Sequence, residues 1–325
     1  MSAITKINLD EFSWDIISDI KLLHKENESE VFLRKCKSLN ENHFLCSAFL
    51  KNQHPYYSDH SIQSSDLIYL LECGRQAETY LVHQHYNQPL NINFILEEWS
   101  FSFENEFQPN RSLEGKEILI EVITKNQRWA KERLLYQEYD IYFFINQLQV
   151  AKLNLRVKYM KRDAYLAIRE RTRKSRLIYS NQLKFQESDR VVPKNSKFGR
   201  ENKSNLTLTD LNKHEDNITA RLLIDFHNKS YFDHKQDHYP AMVLVEAGKQ
   251  ISHYVSSLVH QDSQFVLTSI NCHFKLYAEF DQDVKVIAKL LHEDQIQQNT
   301  HVMVNFIQNE KTIACAELKL SNLKD

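Results

Sequence analysis

One segment of this chain occurs twice. Tyr57-x-Asp59-His60, followed by Glu72-x-Gly74-Arg75-Gln76 and Tyr80, returns 174 positions later as Tyr231-x-Asp233-His234, then Glu246-x-Gly248-Lys249-Gln250 and Tyr254. The two segments align over 24 positions without a gap, and Leu70 and Leu244 complete eight identities. Of only four glycines in 325 residues, two fall on equivalent positions. Such a chain is constrained to two copies of one domain, and its length agrees, since domains usually run about 100–200 residues. The predicted organisation is a helical extension over residues 1–26, a first repeat over 27–160, a basic helix and connector over 161–195, and a second repeat over 196–325.

The extension is predicted helical because Phe12, Ile16, Ile17, Ile20 and Leu23 are spaced for one apolar stripe. Each repeat then runs through short strand-like segments, the shared motif on a helix, and several strands rich in Ile, Val, Phe and Tyr. In the first copy these strands are residues 93–103, 116–124, 139–145 and 150–159; in the second they are 265–277, 283–291, 301–308 and 312–320. One helix followed by antiparallel strands, twice, argues an α+β fold rather than a parallel βαβ one. Between the copies, residues 161–176 hold seven Lys and Arg against Asp163 and Glu170. This run reads either as a solvated helical face or as a docking surface for an acidic partner.

The motif helix separates into two faces. At 100° per residue Glu72, Arg75 and Gln76 share one side, with Leu70, Gly74, Ala77 and Leu81 opposite; Glu246, Lys249 and Gln250 oppose Leu244, Gly248, Ile251 and Val255 in the same way. A glycine in the buried stripe implies close approach of a sheet backbone. Pro240 suits the first helical position, and Ser64 or Ser65 can cap the first-copy helix. His60 and His234 therefore precede their helices, each 12 residues ahead of the glutamate. Partial burial of Glu72 or Glu246 is expected to raise its pKa toward a general-base value. An isolated Glu/Arg pair is commonly a solvated ion pair and a loop histidine commonly structural; joint recurrence at fixed spacing is what marks these residues as candidates.

Hydrophobic content of 42% and charged content of 26% suit a globular chain and exclude a disordered or fibrous one. A formal charge of -2 and the absence of a nucleic-acid motif give no reason to expect a polyanionic partner. No segment offers about 18 consecutive apolar residues, so a cytoplasmic protein without membrane association is expected. The five cysteines (Cys36, Cys46, Cys73, Cys272, Cys315) are scattered without CxxC spacing and are expected to be reduced. His83-x-His85 on a helix diverge, so neither a metal nor a cofactor is expected.

The segment from Tyr231 to Gln250, Y-F-D-H-K-Q-D-H-Y-P-A-M-V-L-V-E-A-G-K-Q, closely resembles the second repeat of the AfsA-type hot-dog proteins of A-factor biosynthesis, whose pattern reads roughly F-D-H-P-x-D-H-V-P-G-M-V-L-L-E-A-A-R-Q. Leu71-Glu-Cys-Gly-Arg-Gln76, with His83 to Phe94 behind it, resembles that family's first-repeat pattern. The resemblance covers both halves, specifically in the motifs and loosely in the strands. It implies two tandem hot-dog domains, each an antiparallel sheet wrapped around a long helix, packed as a pseudo-dimer. The likeness to hydroxyacyl-carrier-protein dehydratases places His234 near Glu72 and His60 near Glu246.

The activity the resemblance implies is transfer of a β-ketoacyl group from an acyl carrier protein to the hydroxyl of dihydroxyacetone phosphate, a step toward γ-butyrolactone signals. Glu246, Glu72, His234 and His60 are then the catalytic candidates, and Arg75, Lys249, Gln76, Gln250 and His238 the substrate-binding ones. The basic run can meet an acidic carrier protein. Two positions depart from the family pattern. Lys249 replaces an arginine and loses its bidentate fork, and Ala241 replaces a glycine after the proline, which leaves the acceptor open. A dehydratase or thioesterase on the same fold, and a non-catalytic acyl-binding scaffold, are the alternatives.

Overall fold

The computed structural model describes residues 13–60, 64–110, 112–186, 189, 191, 195–260, 264–294 and 298–323. The first repeat contributes β1 (Asp15–Ile16), β2 (Leu33–Asn40), β3 (His43–Phe49), α1 (Leu67–Tyr80), β4 (Asn93–Phe103), β5 (Glu117–Ala130), β6 (Arg133–Ile145) and β7 (Leu148–Met160). After α2 (Arg162–Arg173), the second contributes β8 (Leu208–Lys213), β9 (Ile218–Leu222), α3 (Ala241–Val259), β10 (Phe265–Phe274), β11 (Lys285–Asp294), β12 (Asn299–Gln308) and β13 (Lys311–Asn322). These thirteen strands form one antiparallel sheet in the order β1-β2-β3-β5-β6-β7-β4-β10-β13-β12-β11-β9-β8. The repeats join edge to edge at β4 and β10, where Trp99 pairs with Cys272, so neither leaves a bare edge at the seam.

Each repeat wraps its half-sheet around its helix. Strand residues alternate in burial, most regularly along β12 and β13, so one face of the sheet is core. Every residue of α1 is buried except Arg75. This is the predicted helix, with Asp66 as its N-cap, accepting from the Ile68 amide at 2.9 Å, in place of Ser64 or Ser65. In α3, Pro240 occupies the N-cap position and the helix begins one residue later.

Both motif glycines face the sheet, but side chains approach them, not backbone. A Cβ on Gly74 would stand 2.7 Å from Leu153 Cδ2 and 3.1 Å from Phe143 Cζ, whereas one on Gly248 would meet Leu318 and Phe306 at 3.5 and 3.6 Å, ordinary contact.

Two expectations are corrected. The described part of the N-terminal extension is not a long helix: Asp15 and Ile16 pair with β2, Ile20–Leu23 is one 3-10 turn, and Ile16 is 72% exposed. Pairing at the sheet edge overrides the helical spacing; Phe12 lies outside the described residues. Nor is the basic run simply a solvated face. Within α2, Arg169 is buried, lies 3.8 Å above the Tyr277 ring and binds Glu279 at 2.9 Å, while Arg173 binds Glu279 and Asp281. Lys161, Arg171, Lys174 and Arg176 remain exposed. All five cysteines are free, four of them buried. No helix among the described residues is long and apolar enough to cross a membrane.

The glycine geometry predicts opposite signs for one substitution. Gly248→Ala gains helix propensity without a clash and is expected to stabilise by about 0.5–1 kcal/mol. Gly74→Ala overpacks the core and is expected to destabilise by about 1–3 kcal/mol. Urea denaturation of both variants checks the order.

Candidate functional site

A short strap in each repeat, outside the recurring motif, organises the site. Residues 24–27 read His-Lys-Glu-Asn and residues 199–202 read Gly-Arg-Glu-Asn, 175 positions apart. The basic residue of each strap binds the helix glutamate of its own repeat: Lys25 Nζ lies 2.8 Å from Glu72 Oε1, and Arg200 places Nε and Nη2 each 2.8 Å from the two oxygens of Glu246. The next two amides bind the aspartate of the other repeat. Glu26 and Asn27 donate to Asp233 at 2.7 and 3.0 Å; Glu201 and Asn202 donate to Asp59 at 2.9 and 3.0 Å.

The motif glutamines complete this clasp. Gln76 accepts the Phe32 and Leu33 amides and donates to Glu30 O and Glu72; Gln250 accepts the Thr207 amide and donates to Asn205 O and Glu246. Both side-chain amides are therefore engaged at oxygen and nitrogen by the protein itself.

Around this shared frame the two copies differ. Glu246 has no exposed surface, and its carboxylate also receives the Tyr56 hydroxyl at 2.9 Å and Gln250 at 2.7 Å. Arg200 is buried as well, donates to the Tyr56 and Asp59 carbonyls and lies over the Tyr56 ring at 4.2 Å. Lys249 binds Asp66 at 3.3 Å, and His60 donates to the Tyr57 carbonyl at 2.8 Å. The void beside His60, Asp66 and Lys249 measures about 10 Å³, room for one water at most. Burial pushes the His60 pKa down to about 4, so its ring is neutral.

The other copy opens into a cavity of about 650 Å³, within the ordinary range for a small-molecule site. It is lined by Glu72, Arg75 and Gln76 from α1, Lys25 from the strap, and Asp233, His234, Asp237 and His238 from the loop before α3. Glu72 and His234, expected to meet across the repeats, share this cavity. At the position equivalent to Tyr56, which seals Glu246, stands Ser230, a cavity-lining residue. Its small side chain leaves the space that a phenol fills in the other copy.

The electrostatics contradict one expectation. Burial by itself would raise the Glu72 carboxyl, but Lys25 and Arg75, the latter 2.9 Å from Oε2, outweigh it and hold the pKa below the ordinary value. Glu246 is likewise held low against burial, chiefly by Arg200 and then Lys249. Neither glutamate is tuned upward as a general base.

The histidines stand differently. His234 Nε2 is 2.7 Å from Gln236 Nε2, and its Nδ1 is 3.7 Å from Asp233. His238 Nδ1 donates to Asp237 Oδ1 at 2.6 Å, and Tyr165 donates to the same oxygen at 3.0 Å. Burial would raise the Asp237 pKa, but His238, Arg169 and Tyr165 bring it to about 2. An ionised carboxylate accepts only, so Nδ1 carries a proton toward Asp237 and Nε2 is the ring nitrogen that this pair leaves unengaged.

A profile of the A-factor biosynthesis hot-dog domain, AfsA, matches residues 17–161 and again 184–324. The chain belongs to the AfsA family. Among its relatives, a 2-oxo-3-(phosphooxy)propyl 3-oxoalkanoate synthase of Streptomyces virginiae is 23% identical over 273 residues, covering 83% of this chain and 86% of that one. A synthase of the same name from Streptomyces griseus is 26% identical over 110 residues, 34% of this chain and 36% of its own. In structure the chain is similar to the dehydratase domain of the CurK module of curacin polyketide synthase (TM-score 0.51, 11% identity, 89% of this chain and 95% of that one). It is equally similar to the 12:0-ACP thioesterase of Umbellularia californica (TM-score 0.51, 9% identity, 88% and 100%). These likenesses and the two profile segments establish tandem hot-dog domains.

The clasp predicts unequal penalties. Arg200→Met strands a buried carboxylate and is expected to cost about 3–5 kcal/mol. Lys25→Met leaves Glu72 with Arg75 and Gln76 beside an open cavity and is expected to cost about 1–2 kcal/mol. The depressed Glu246 pKa stabilises the fold fully above the unfolded-chain value of about 4.3, and that contribution is lost as pH falls through the folded value. Arg200→Met removes that depression, so its stability deficit against the wild type, read by urea denaturation followed by circular dichroism, should narrow as pH falls toward the folded value.

Proposed function

We propose that this chain is an acyltransferase that moves a β-ketoacyl group from an acyl carrier protein thioester to the hydroxyl of dihydroxyacetone phosphate or a related small phosphorylated acceptor. The observation that carries the reading is one cavity in which two cations, Lys25 and Arg75, face an oriented Asp237–His238 pair. The Streptomyces relatives are named for the ester such a transfer would form.

In this reading His238 Nε2 removes the acceptor's hydroxyl proton, the oxygen attacks the thioester carbonyl, and the imidazolium returns the proton to the departing thiolate. Asp237 holds the ring and stabilises its charged form. Lys25 and Arg75 each keep donors beyond those bound to Glu72, and these bind the phosphate. Glu72 fixes the two cations in place, and His234 lines the approach. At the start of α3, which no side chain caps, Ala241 and Met242 line the cavity, and their amides can receive the carbonyl oxygen as charge develops. The sealed Glu246, Lys249, Gln250 and His60 serve the fold. The same cations have no task in dehydration, which sets that alternative second.

Incubation with 3-oxoacyl carrier protein and dihydroxyacetone phosphate, followed by mass spectrometry, is expected to yield the phosphorylated 3-oxoester. His238→Ala should lower kcat/KM by about 10²–10⁴-fold while remaining folded, and Arg75→Ala should raise KM for the phosphorylated acceptor. Thioester loss independent of the acceptor would contradict the transferase, and loss of water from a 3-hydroxyacyl thioester would replace it with a dehydratase.

A further inference from the structure

Glu78 lies six residues beyond Glu72 on α1 and lines the same cavity, yet the transfer just described has no use for it. The side chain is 5% exposed and held by hydroxyls: Tyr159 donates to Oε1 at 2.7 Å, and Thr79 Oγ1 lies 3.3 Å from Oε2. The single Thr79 hydroxyl hydrogen has a shorter bond, 2.9 Å, to the Arg75 carbonyl, so Oε2 receives only a shared one. Tyr159 in turn lies 2.7 Å from Tyr139 OH, and since Tyr159 gives its proton to Glu78, Tyr139 supplies that bond. Burial pushes the Glu78 carboxyl up to about 7, with Tyr159 and Arg75 acting against it, so both protonation states are populated near neutral pH.

The same cavity is lined by the apolar side chains of Phe94, Leu96, Leu155 and Val157. A buried carboxyl in such a lining is costly unless its remaining oxygen is hydrogen-bonded. A plain alkyl chain leaves it with only the long, shared Thr79 bond; a hydroxyl adds a full partner as donor or acceptor. The equivalent position in the sealed copy carries Ser252.

We propose that Glu78 is a specificity determinant of the cavity, selecting acyl chains that carry a hydroxyl far from the thioester carbon. The inference rests on the cavity receiving an acyl thioester at its Glu72–His238 end. Six residues of helix span about 9 Å, roughly seven or eight carbons of extended chain, so the hydroxyl it selects lies near the far end of an eight-carbon acyl group.

Isothermal titration calorimetry of the full chain with the N-acetylcysteamine thioesters of octanoate and 8-hydroxyoctanoate tests this without turnover. The wild type is expected to bind the hydroxylated thioester about tenfold more tightly. Glu78→Leu should abolish or reverse that preference, Glu78→Gln should keep part of it, and Glu78→Ala serves in place of the leucine variant should that one not fold. Equal affinity for the two thioesters, a preference for octanoyl, or a preference unchanged in Glu78→Leu would overturn the role of Glu78 alone. Failure of the wild type to bind either thioester would overturn the acyl cavity itself.

Discussion

The structure depends on a carboxylate buried on each central helix and the clasp that neutralises it. A lone ionised glutamate inside a hot-dog core costs several kcal/mol, so it must be paired and hydrogen-bonded. The pairing comes from a strap at the start of each repeat, through Lys25 or Arg200. The same strap lends its next two amides to the aspartate of the opposite repeat. Neutralising a charge within a repeat therefore also crosses the two repeats over each other, and the β4–β10 seam is reinforced from the helix side.

One clasp built twice does not give two equal sites. Arginine reaches both oxygens of Glu246 with its planar fork, and the Tyr56 hydroxyl occupies what remains. Lysine, a point charge, binds one oxygen of Glu72, Arg75 takes the other, and Ser230 stands where a tyrosine would close the space. The outcome is a sealed ion pair on one side and a cavity on the other. The sequence difference between Arg75 and Lys249 marks this asymmetry without causing it: Lys249 is drawn to Asp66, the cap of the opposite helix. The strap cation and the residue before the Tyr57/Tyr231 pair decide which side stays open.

Much of this was legible from residues alone. Gapless recurrence located both helices, and the β-branched and aromatic runs located the long strands, β4 to the residue. The strap was not legible, because Lys25-Glu26-Asn27 and Arg200-Glu201-Asn202 repeat at an offset of 175 while the helix motif repeats at 174. A one-residue difference between the copies hides a three-residue match from the gapless alignment at 174. The direction of the glutamate pKa escapes the sequence for the same reason: the helix pattern implies burial, but not the strap cation that opposes it. The N-terminal stripe misled because helical spacing over so few residues also suits a strand at a sheet edge followed by one tight turn. Asp237 stood in plain view beside His238, but only the folded loop shows the 2.6 Å bond that orients the ring.

One of the two pseudo-equivalent sites is open and the other is a closed ion pair. A crystal structure of the chain with a non-transferable acyl-pantetheine analogue tests it most directly. One analogue per chain is expected, seated between α1 and the loop of residues 233–240, with its carbonyl beside His238 and the Arg200–Glu246 pair undisturbed. An analogue bound beside Glu246 and His60, with Arg200 displaced, would contradict it.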